Sequence, residues 1–551
     1  MKNLILLFVV LTFSNLYSQS NNFIGSTTIS VIQNGVMNYS TTTNPLPNEG
    51  ANLMTNEAGT DYRPLNTSYT RWSFIDAAAI NNDGMISGDG KTSAVGWYLN
   101  SKRVSVYGNL NNTPIWEFPT STNNGRNYIA ISDTADVIAA GSYNNFYLFN
   151  KTSSTPFFNF DLLATPDLGT AGPLDLTSKG TYLLASANKN DTSMVYCFNK
   201  NSTVSIWKVK VPGQIQGIKI AGNDTLAIFN TYSAYYVYNI YTGILRYSAP
   251  ITNGTQTYQG ISANGNIIAT INYQGYLKVY QWSGSAYNLL WQYQEPPGTY
   301  YNWVTGVEIT EDGNYIGIGT LIFLPSSTYD GGVRFFKVSN GSTPLWSFTA
   351  MGDEVNQVSI SKNGKYLVAA SWGKLDNSKD DITVFRCDPG TGIPWYSVNT
   401  IGSPFMCSIS NDGTSVISGG KAVHARSFGS GGTLYNIFID TTLNPVSIGS
   451  IGTETPKEYS LKQNYPNPFN PTTKIKFDIP ALSFPNVSIG NPVQLKVYDI
   501  MGKEVQTLVN ERLQPGTYEA SFDGSMLNSG VYFYKLMTDG FTETKKMLMI
   551  K

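Results

Sequence analysis

Between residues 69 and 440 the chain repeats one arrangement of apolar and polar positions. An alternating run enters a tight turn, and a second apolar run leaves it to end in small residues. The arrangement recurs as "AAAINNDGMISG", "YIAISDTADVIAAG", "PLDLTSKGTYLLAS", "IKIAGNDTLAI", "GISANGNIIAT", "VEITEDGNYIGIG", "VSISKNGKYLVAAS" and "CSISNDGTSVISGG". Alternation of this kind predicts half-buried strands, and the Asx-Gly pairs between them predict hairpin turns with positive φ. The turn glycine or its equivalent is placed at Gly84, Ala135, Gly180, Gly222, Gly265, Gly313, Gly364 and Gly413, in steps of 42 to 51 residues. A third, aromatic strand follows in most units, as in "FYLFN" or "VRFFKV", and then a fourth centred on Trp116, Trp207, Trp291, Trp346 or Trp395. Phe158 and Tyr247 hold the same slot in two further units. Such large flat side chains are expected between neighbouring sheets.

A single four-stranded unit cannot bury both of its faces, so units of this period are predicted to stack into a ring. The fold class is therefore all-β: a β-propeller of eight blades, with seven as the alternative. "SYTRWSF" around Trp72 precedes the first anchor and is expected to complete the last blade, whose first three strands would lie near residues 405–428. "TLYNIFI", 433–439, competes for that place. Closing the ring in this way removes an open sheet edge. The region 70–440 resembles the WD40-like, YVTN-like and quinoprotein-like propellers, and "PLWSF" is like the blade motif of the quinoprotein type. No unit has the Gly-His opening or Trp-Asp ending of a true WD40 repeat. The resemblance implies fold and leaves function open.

From Tyr459 the pattern changes. In "NYPNPFNPTTKIKFDIP", Asn464 to Pro480, prolines that cannot join a ladder precede a clean alternation of Ile475, Phe477 and Ile479 with charged residues. The following runs, with hairpin turns at Met501-Gly502 and Asp539-Gly540, predict a small Ig-like sandwich. Its inward residues are expected to be Ile475, Phe477, Leu495, Val497, Tyr518, Phe522, Tyr532 and Tyr534. The series "NYPNPFNPTT…YDIMGKEVQTL…GTYEASFDGSMLNSGVYFYKL…KKMLMIK" resembles the type A C-terminal sorting domain of type IX secretion substrates. That resemblance implies delivery across the outer membrane by the type IX machinery. It also implies a sortase-like peptidase that removes the domain and can link the cargo to surface lipopolysaccharide. The proline-rich lead-in reads as a separator between delivery module and cargo.

At the other end, Lys2 and the apolar run from Leu4 to Phe13, followed by Ser18 and Ser20, have the layout of a secretory signal peptide. The run is too short to span a bilayer, and no later segment is long enough. The expected organisation is a signal peptide at 1–20, an unassigned extension at 21–68, the propeller at 69–440, a linker at 441–458 and the sorting domain at 459–551. Within the extension, "STTISVIQNGVMNYS" is compatible with a hairpin. Charged residues are only 13% of the 551, against a usual value of about 25%, and net charge is −1. This gives no basic surface for nucleic acid.

Candidate chemistry is sparse. Cys197, Cys387 and Cys407 form neither a disulfide framework nor a metal knuckle and are expected to be buried small hydrophobes. His424 is the single histidine, which excludes a histidine-based metal site, and no nucleophile elbow accompanies it. It is expected to be structural. The scattered acids Asp76, Glu117, Asp161, Asp175, Glu308 and Glu354 would have to converge to hydrolyse a glycoside. The quinone enzymes need adjacent cysteines and an acidic cluster, and both are missing, so no cofactor is expected. "KLDNSKDD" gathers Asp376, Asn377, Asp380 and Asp381, whose spacing does not fit an EF-hand; calcium binding there is left open against a solvated loop. No catalytic, cofactor or metal residue is therefore assigned. The expected role is a secreted or surface propeller that binds a glycan, peptide or protein, with an extracellular hydrolase or quinone-dependent oxidoreductase as the alternative. Raised-pKa carboxylates at the central channel would favour the enzyme.

Overall fold

The structure, a computed structural model, describes residues 25–33, 36–44, 68–441, 448–450, 456–480 and 491–551. Within these ranges 100, 121–125, 165–168, 252–255, 298–301, 326–327, 350, 389, 391, 425, 428, 430, 503, 514, 525–526 and 539 are excepted. The expected signal peptide, most of the extension and Asp539 therefore lie outside the described residues.

Among the described residues the alternating runs form strands and there is no α-helix. Sheet I joins Ala79–Ile86, Thr92–Leu99, Arg103–Gly108 and Pro114–Pro119 in a meander. Sheets II to VII repeat this four-stranded order over 127–161, 170–212, 217–250, 256–294, 303–349 and 355–398. Sheet VIII consists of Pro404–Ile409, Ser415–Lys421 and Gly432–Phe438, and then takes Tyr69–Asp76 from the start of the chain as its outer strand. Trp72 thus sits opposite Asn436 in an antiparallel pair. Both segments that competed for closure are used, one as third strand and one as fourth. The third strand is not within 405–428, because Ala422 to Gly431 form a loop in which Ala422 N donates to Gly431 O. First strands touch in ring order, I against II and onward, with VIII against I, as in a β-propeller. Outside the ring, Gly25–Gln33 and Val36–Asn44 pair antiparallel, and the former runs parallel to Tyr69–Asp76.

The hairpin turns have a cause beyond glycine. In seven sheets a Ser or Thr hydroxyl at the turn's start accepts the amide five residues on: Ser87 from Thr92, Ser132 from Val137, Thr177 from Tyr182, Ser262 from Ile267, Thr310 from Tyr315, Ser361 from Tyr366 and Ser410 from Ser415. Ala135, Gly180, Gly265, Gly313, Gly364 and Gly413 take positive φ inside these turns. Two anchors are displaced. Gly84 lies within its strand after a bulge, where a Cβ would come 2.8 Å from Met406 Cε, and Gly90 (φ 70°) makes the turn instead. In sheet IV, Asp224 (φ 62°) takes the left-handed place expected of Gly222. A short polar side chain tolerates that conformation.

The tryptophans do bridge sheets, and they do so with a hydrogen bond. Trp116 Nε1 donates to Lys151 O (3.0 Å), Trp207 to Ile240 O (2.6 Å) and Trp291 to Val338 O (2.9 Å). Trp346 donates to Cys387 O (3.0 Å) and Trp395 to Asp440 O (3.1 Å). In each case the acceptor follows the third strand of the next sheet, so one indole fills the seam and caps a carbonyl that has left its ladder. Phe158 and Tyr247, which have no indole N–H, pack on Phe198 and on Trp282 and Tyr287.

The C-terminal region forms two further sheets. One holds Ile448–Ser450, Gly516–Asp523, Thr472–Ile479 and Ser460–Leu461; the other holds Glu504–Leu513, Asn491–Tyr498, Gly530–Thr538 and Phe541–Met549. All eight expected inward residues share its single apolar core. Residues 448–450, placed in the linker by sequence, pair with Tyr518 to Ala520. The proline-rich segment is no loose separator either. Asn464 is buried and bonds Pro466 O and Thr473 Oγ1, while Phe469 inserts into the core and pairs with the last strand through Leu548 O and Ile550 N. Prolines suit this path because they bring no amide that would need a partner.

Candidate functional site

The first strands enclose a channel whose two ends differ. At the end where first strands turn into second strands, the turns bond to one another around the ring. Asn363 N donates to Asn411 O, Asn411 N to Gly88 O, Asp89 N to Asp133 O, and Asp133 N to Ser178 O. Ser178 N and Oγ donate to Asp224, and Ala263 N to Glu311 O. Lys362 of sheet VII then reaches Asp133 of sheet II (3.6 Å) and Glu311 of sheet VI (3.2 Å). Deeper in, Lys219 of sheet IV pairs with Glu308 of sheet VI at 3.2 Å, over sheet V. Two of these three ion pairs join non-adjacent sheets and tie this end together across the channel.

The opposite end, where the chain enters each first strand, is aromatic. Tyr273 lies 4.6 Å from Trp303, Trp303 5.1 Å from Phe323, and Phe323 5.6 Å from Tyr329, measured between ring centroids. Arg426 continues the arc, its Cζ 4.0 Å from the Tyr329 ring and 5.2 Å from Trp372, which in turn packs 5.6 Å from Phe405. Arg426 also pairs with Asp353 (3.1 Å) and Glu354 (3.9 Å). Facing this arc, Tyr232 and Tyr258 are 50% and 45% exposed, and Tyr273 39%, so their rings are presented rather than buried. Arg126 and Asp83 are close enough to Tyr128 and Tyr258, and Arg126 and Glu354 to Tyr258 and Tyr273, to influence the ionisation of those phenols. Groups from sheets I, II, IV, V and VII meet over the channel. Sequence reasoning missed this site, yet a signal existed: "AAGSYNN", "IFNTYSA", "TINYQG" and "AASWGK" all place an aromatic, Tyr143, Tyr232, Tyr273 or Trp372, just after the second strand.

The scattered acids have separate duties. Asp76 and Glu117 both bind Arg103, at 2.6 and 2.7 Å. Asp161 Oδ1 accepts the Leu163 amide. Asp175 accepts Leu176 N and, across the seam, Ile220 N; Asp83 accepts Gly84 N and Ile129 N in the same way. Burial pushes Asp83 up to about 6 against those two amides, and pushes Asp175 up as well. Burial also pushes Glu354 up to about 7, with Arg426 opposing and Asp353 assisting. Raised carboxylates do therefore stand at the channel, but Asp83 and Asp175 each spend one oxygen on the next amide of their own strand and the other on an amide of the adjacent sheet. Glu354 lies instead beside the Arg426 guanidinium in the mouth, 3.9 Å away.

A testable consequence follows from Asp83. Its folded pKa lies above its unfolded value, so the stability it contributes is complete below about 4 and is lost as pH rises through about 6. Asp83→Asn stays neutral throughout. The variant is expected to gain stability relative to the parent between pH 4 and 7, read as the difference in urea midpoints; a pH-independent difference would refute it.

His424 is buried, with Nε2 3.1 Å from Asp381 Oδ2, and so holds the loop of sheet VIII against sheet VII. Asp381 also accepts Thr400 N and is pushed up to about 6 by burial. The four oxygen-bearing residues of "KLDNSKDD" do not converge. Asp381 points inward, Asp380 accepts from Ser397 Oγ, Asp376 is exposed beside Lys374 and Ser378, and Asn377 occupies a positive-φ turn position. Cys197, Cys387 and Cys407 are buried; burial pushes the Cys197 thiol up to about 12 and raises the other two further.

Residues 463–551 match the family model described as the secretion system C-terminal sorting domain. A tail of this family indicates export, to the surface or the medium, with the type IX machinery as partner. No helix among the described residues is long and apolar enough to cross a membrane. No curated protein matches the chain. Among solved structures, the chain is similar to the beta-propeller domain of Myceliophteria thermophila Cps50 (Swd1). The identity is 10% and the TM-score 0.41, over 54% of this chain and 94% of that one. It is also similar to the C-terminal WD40 domain of Sif2, at 14% identity and TM-score 0.48, over 66% and 97%.

Proposed function

We propose that residues 69–441 are an eight-bladed β-propeller that binds an extracellular glycan, peptide or protein at its aromatic mouth without transforming it. An N-terminal signal peptide and an Ig-like sorting module deliver it through the type IX route. The observation that carries this reading is the asymmetry of the channel: one end is laced shut, and the other gathers half-buried rings with polar groups, the composition of a recognition surface.

Fluorescence titration of the exported full-length protein with xylan, pectin, laminarin and a tryptic peptide pool tests it. The double variant Tyr273→Ala, Trp372→Ala is expected to weaken at least tenfold whichever probe binds. Leu290→Ala, on the outer surface between sheets V and VI, should leave binding alone. Equal binding by parent and double variant would sink the reading. Glu354, with its raised carboxyl, favours a hydrolase as the second reading. That reading requires a bound probe to lose mass over time, and Glu354→Gln to stop the loss.

A further inference from the structure

Arg426 differs from the other cations of the ring. Its guanidinium lies between Tyr329 and Trp372, and Nη2 is 3.1 Å from Asp353 Oδ1. The Asp353 side chain is only 4% exposed and also accepts the Glu354 amide, so its position is fixed from behind. Arg426 itself remains 38% exposed. A guanidinium stacked on rings and oriented by a buried carboxylate keeps donors for a second, incoming anion, and its fork suits two oxygens at once. Two further cations stand in the mouth: Lys421 Nζ, 5.5 Å from the Trp372 ring and bonded to Ser427 O, and Arg126 near Tyr128 and Tyr258.

We propose that the mouth binds an acidic saccharide, with Arg426 gripping a sugar carboxylate or sulfate while the sugar's apolar face rests on Trp372 and Phe405. This deepens the binding reading above and rests on it. The donors that the Arg426 guanidinium keeps beyond its bond to Asp353 select the anion. Geometry selects the saccharide over an acidic peptide: this surface is a curved run of rings rimmed by phenols, which suits a ligand with its own flat apolar face, and an acidic peptide such as polyglutamate has none. A sugar ring matches it, with an apolar C–H face and a polar rim. Protonation of the buried Glu354 carboxyl would reduce the negative charge beside Arg426 and help an anion.

Calorimetric titration of the exported full-length protein decides the matter, with hexagalacturonate, a heparin-derived hexasaccharide, cellohexaose and hexaglutamate as probes. One or both acidic saccharides should bind at least tenfold more tightly than cellohexaose and hexaglutamate; which of the two binds distinguishes carboxylate from sulfate. Arg426→Gln should cost at least tenfold, and Arg426→Lys less. Glu354→Gln should tighten binding at pH 7.5, a gain that misfolding cannot imitate. Equal affinity for the neutral or peptide probe, or indifference to Arg426→Gln, overturns the inference. If the Tyr273 and Trp372 double variant still weakens a neutral polysaccharide or a peptide, the binding face stands and only its acidic ligand falls. If that variant changes nothing, both fall.

Discussion

Removal of residues 459–551 is expected to abolish appearance of the protein outside the cell and to trap it in the periplasm. The sorting-domain match covers 463–551, and the folded unit begins earlier than the match, since 448–450 pair with Tyr518 to Ala520. A cut at 463 would leave Ile448–Ser450 and Ser460–Leu461 without the strands they pair with, so a truncation at 447 should yield a cleaner periplasmic product than one at 463. Immunoblots of medium, surface and periplasmic fractions measure this. Undiminished export of the truncated chain would remove the delivery role from the tail.

The largest stability effect is expected at the ring's closure. Arg103 in sheet I is 5% exposed and binds Asp76, the last residue of the strand that closes sheet VIII, at 2.6 Å, as well as Glu117 at 2.7 Å. Its Cζ also lies 4.8 Å from the Trp97 ring. Asp76 Oδ1 meanwhile accepts Ala78 N and Ala79 N, so this carboxylate fixes the crossing from sheet VIII to sheet I. Arg103→Met leaves Asp76 charged, buried and short of its partner, which costs about 3–5 kcal/mol when one member of a buried pair is removed. Urea denaturation should show that loss, and the double variant Arg103→Met, Asp76→Asn should recover part of it. A cost below about 1 kcal/mol would mean that the closing strand is held by its ladder and by Trp72 and Phe74 packing alone.

The second expectation concerns closure, and closure explains much of the side-chain placement. Seven sheets supply their four strands in order, but sheet VIII borrows one from the far end of the ring's sequence, Tyr69 facing Phe438. The seam indoles repeat locally at Trp116, Trp207, Trp291, Trp346 and Trp395, each bonded to the next sheet. At the VIII–I seam Trp72 instead packs on Tyr107, 5.4 Å away, and the Arg103 ion pairs supply the polar tie. The closing seam thus lacks the indole bond found at five others, as do the seams filled by Phe158 and Tyr247.

The repeat, the all-β class, the tryptophan slots and the inward face of the C-terminal sandwich were all legible in the sequence. They rest on local causes: alternation with period two, positive φ at turns, and the bulk of an aromatic ring. The two displaced anchors, Gly84 and Gly222, show the limit of that logic: in sheet I the Ser87 hydroxyl bond to the Thr92 amide fixed the turn three residues beyond Gly84, and in sheet IV, whose turn starts at Ala221 without a hydroxyl, Asp224 took the left-handed place. The proline-rich segment shows another, since lack of amides suits a pinned loop as well as a spacer. What the mouth contains was decided only in three dimensions. Arg426 meets Asp353 across 73 positions, His424 meets Asp381 across 43, and Arg103 meets Asp76 across 27. No pattern of neighbours along the chain encodes such meetings, because they depend on how many sheets the ring holds and which of them end up side by side.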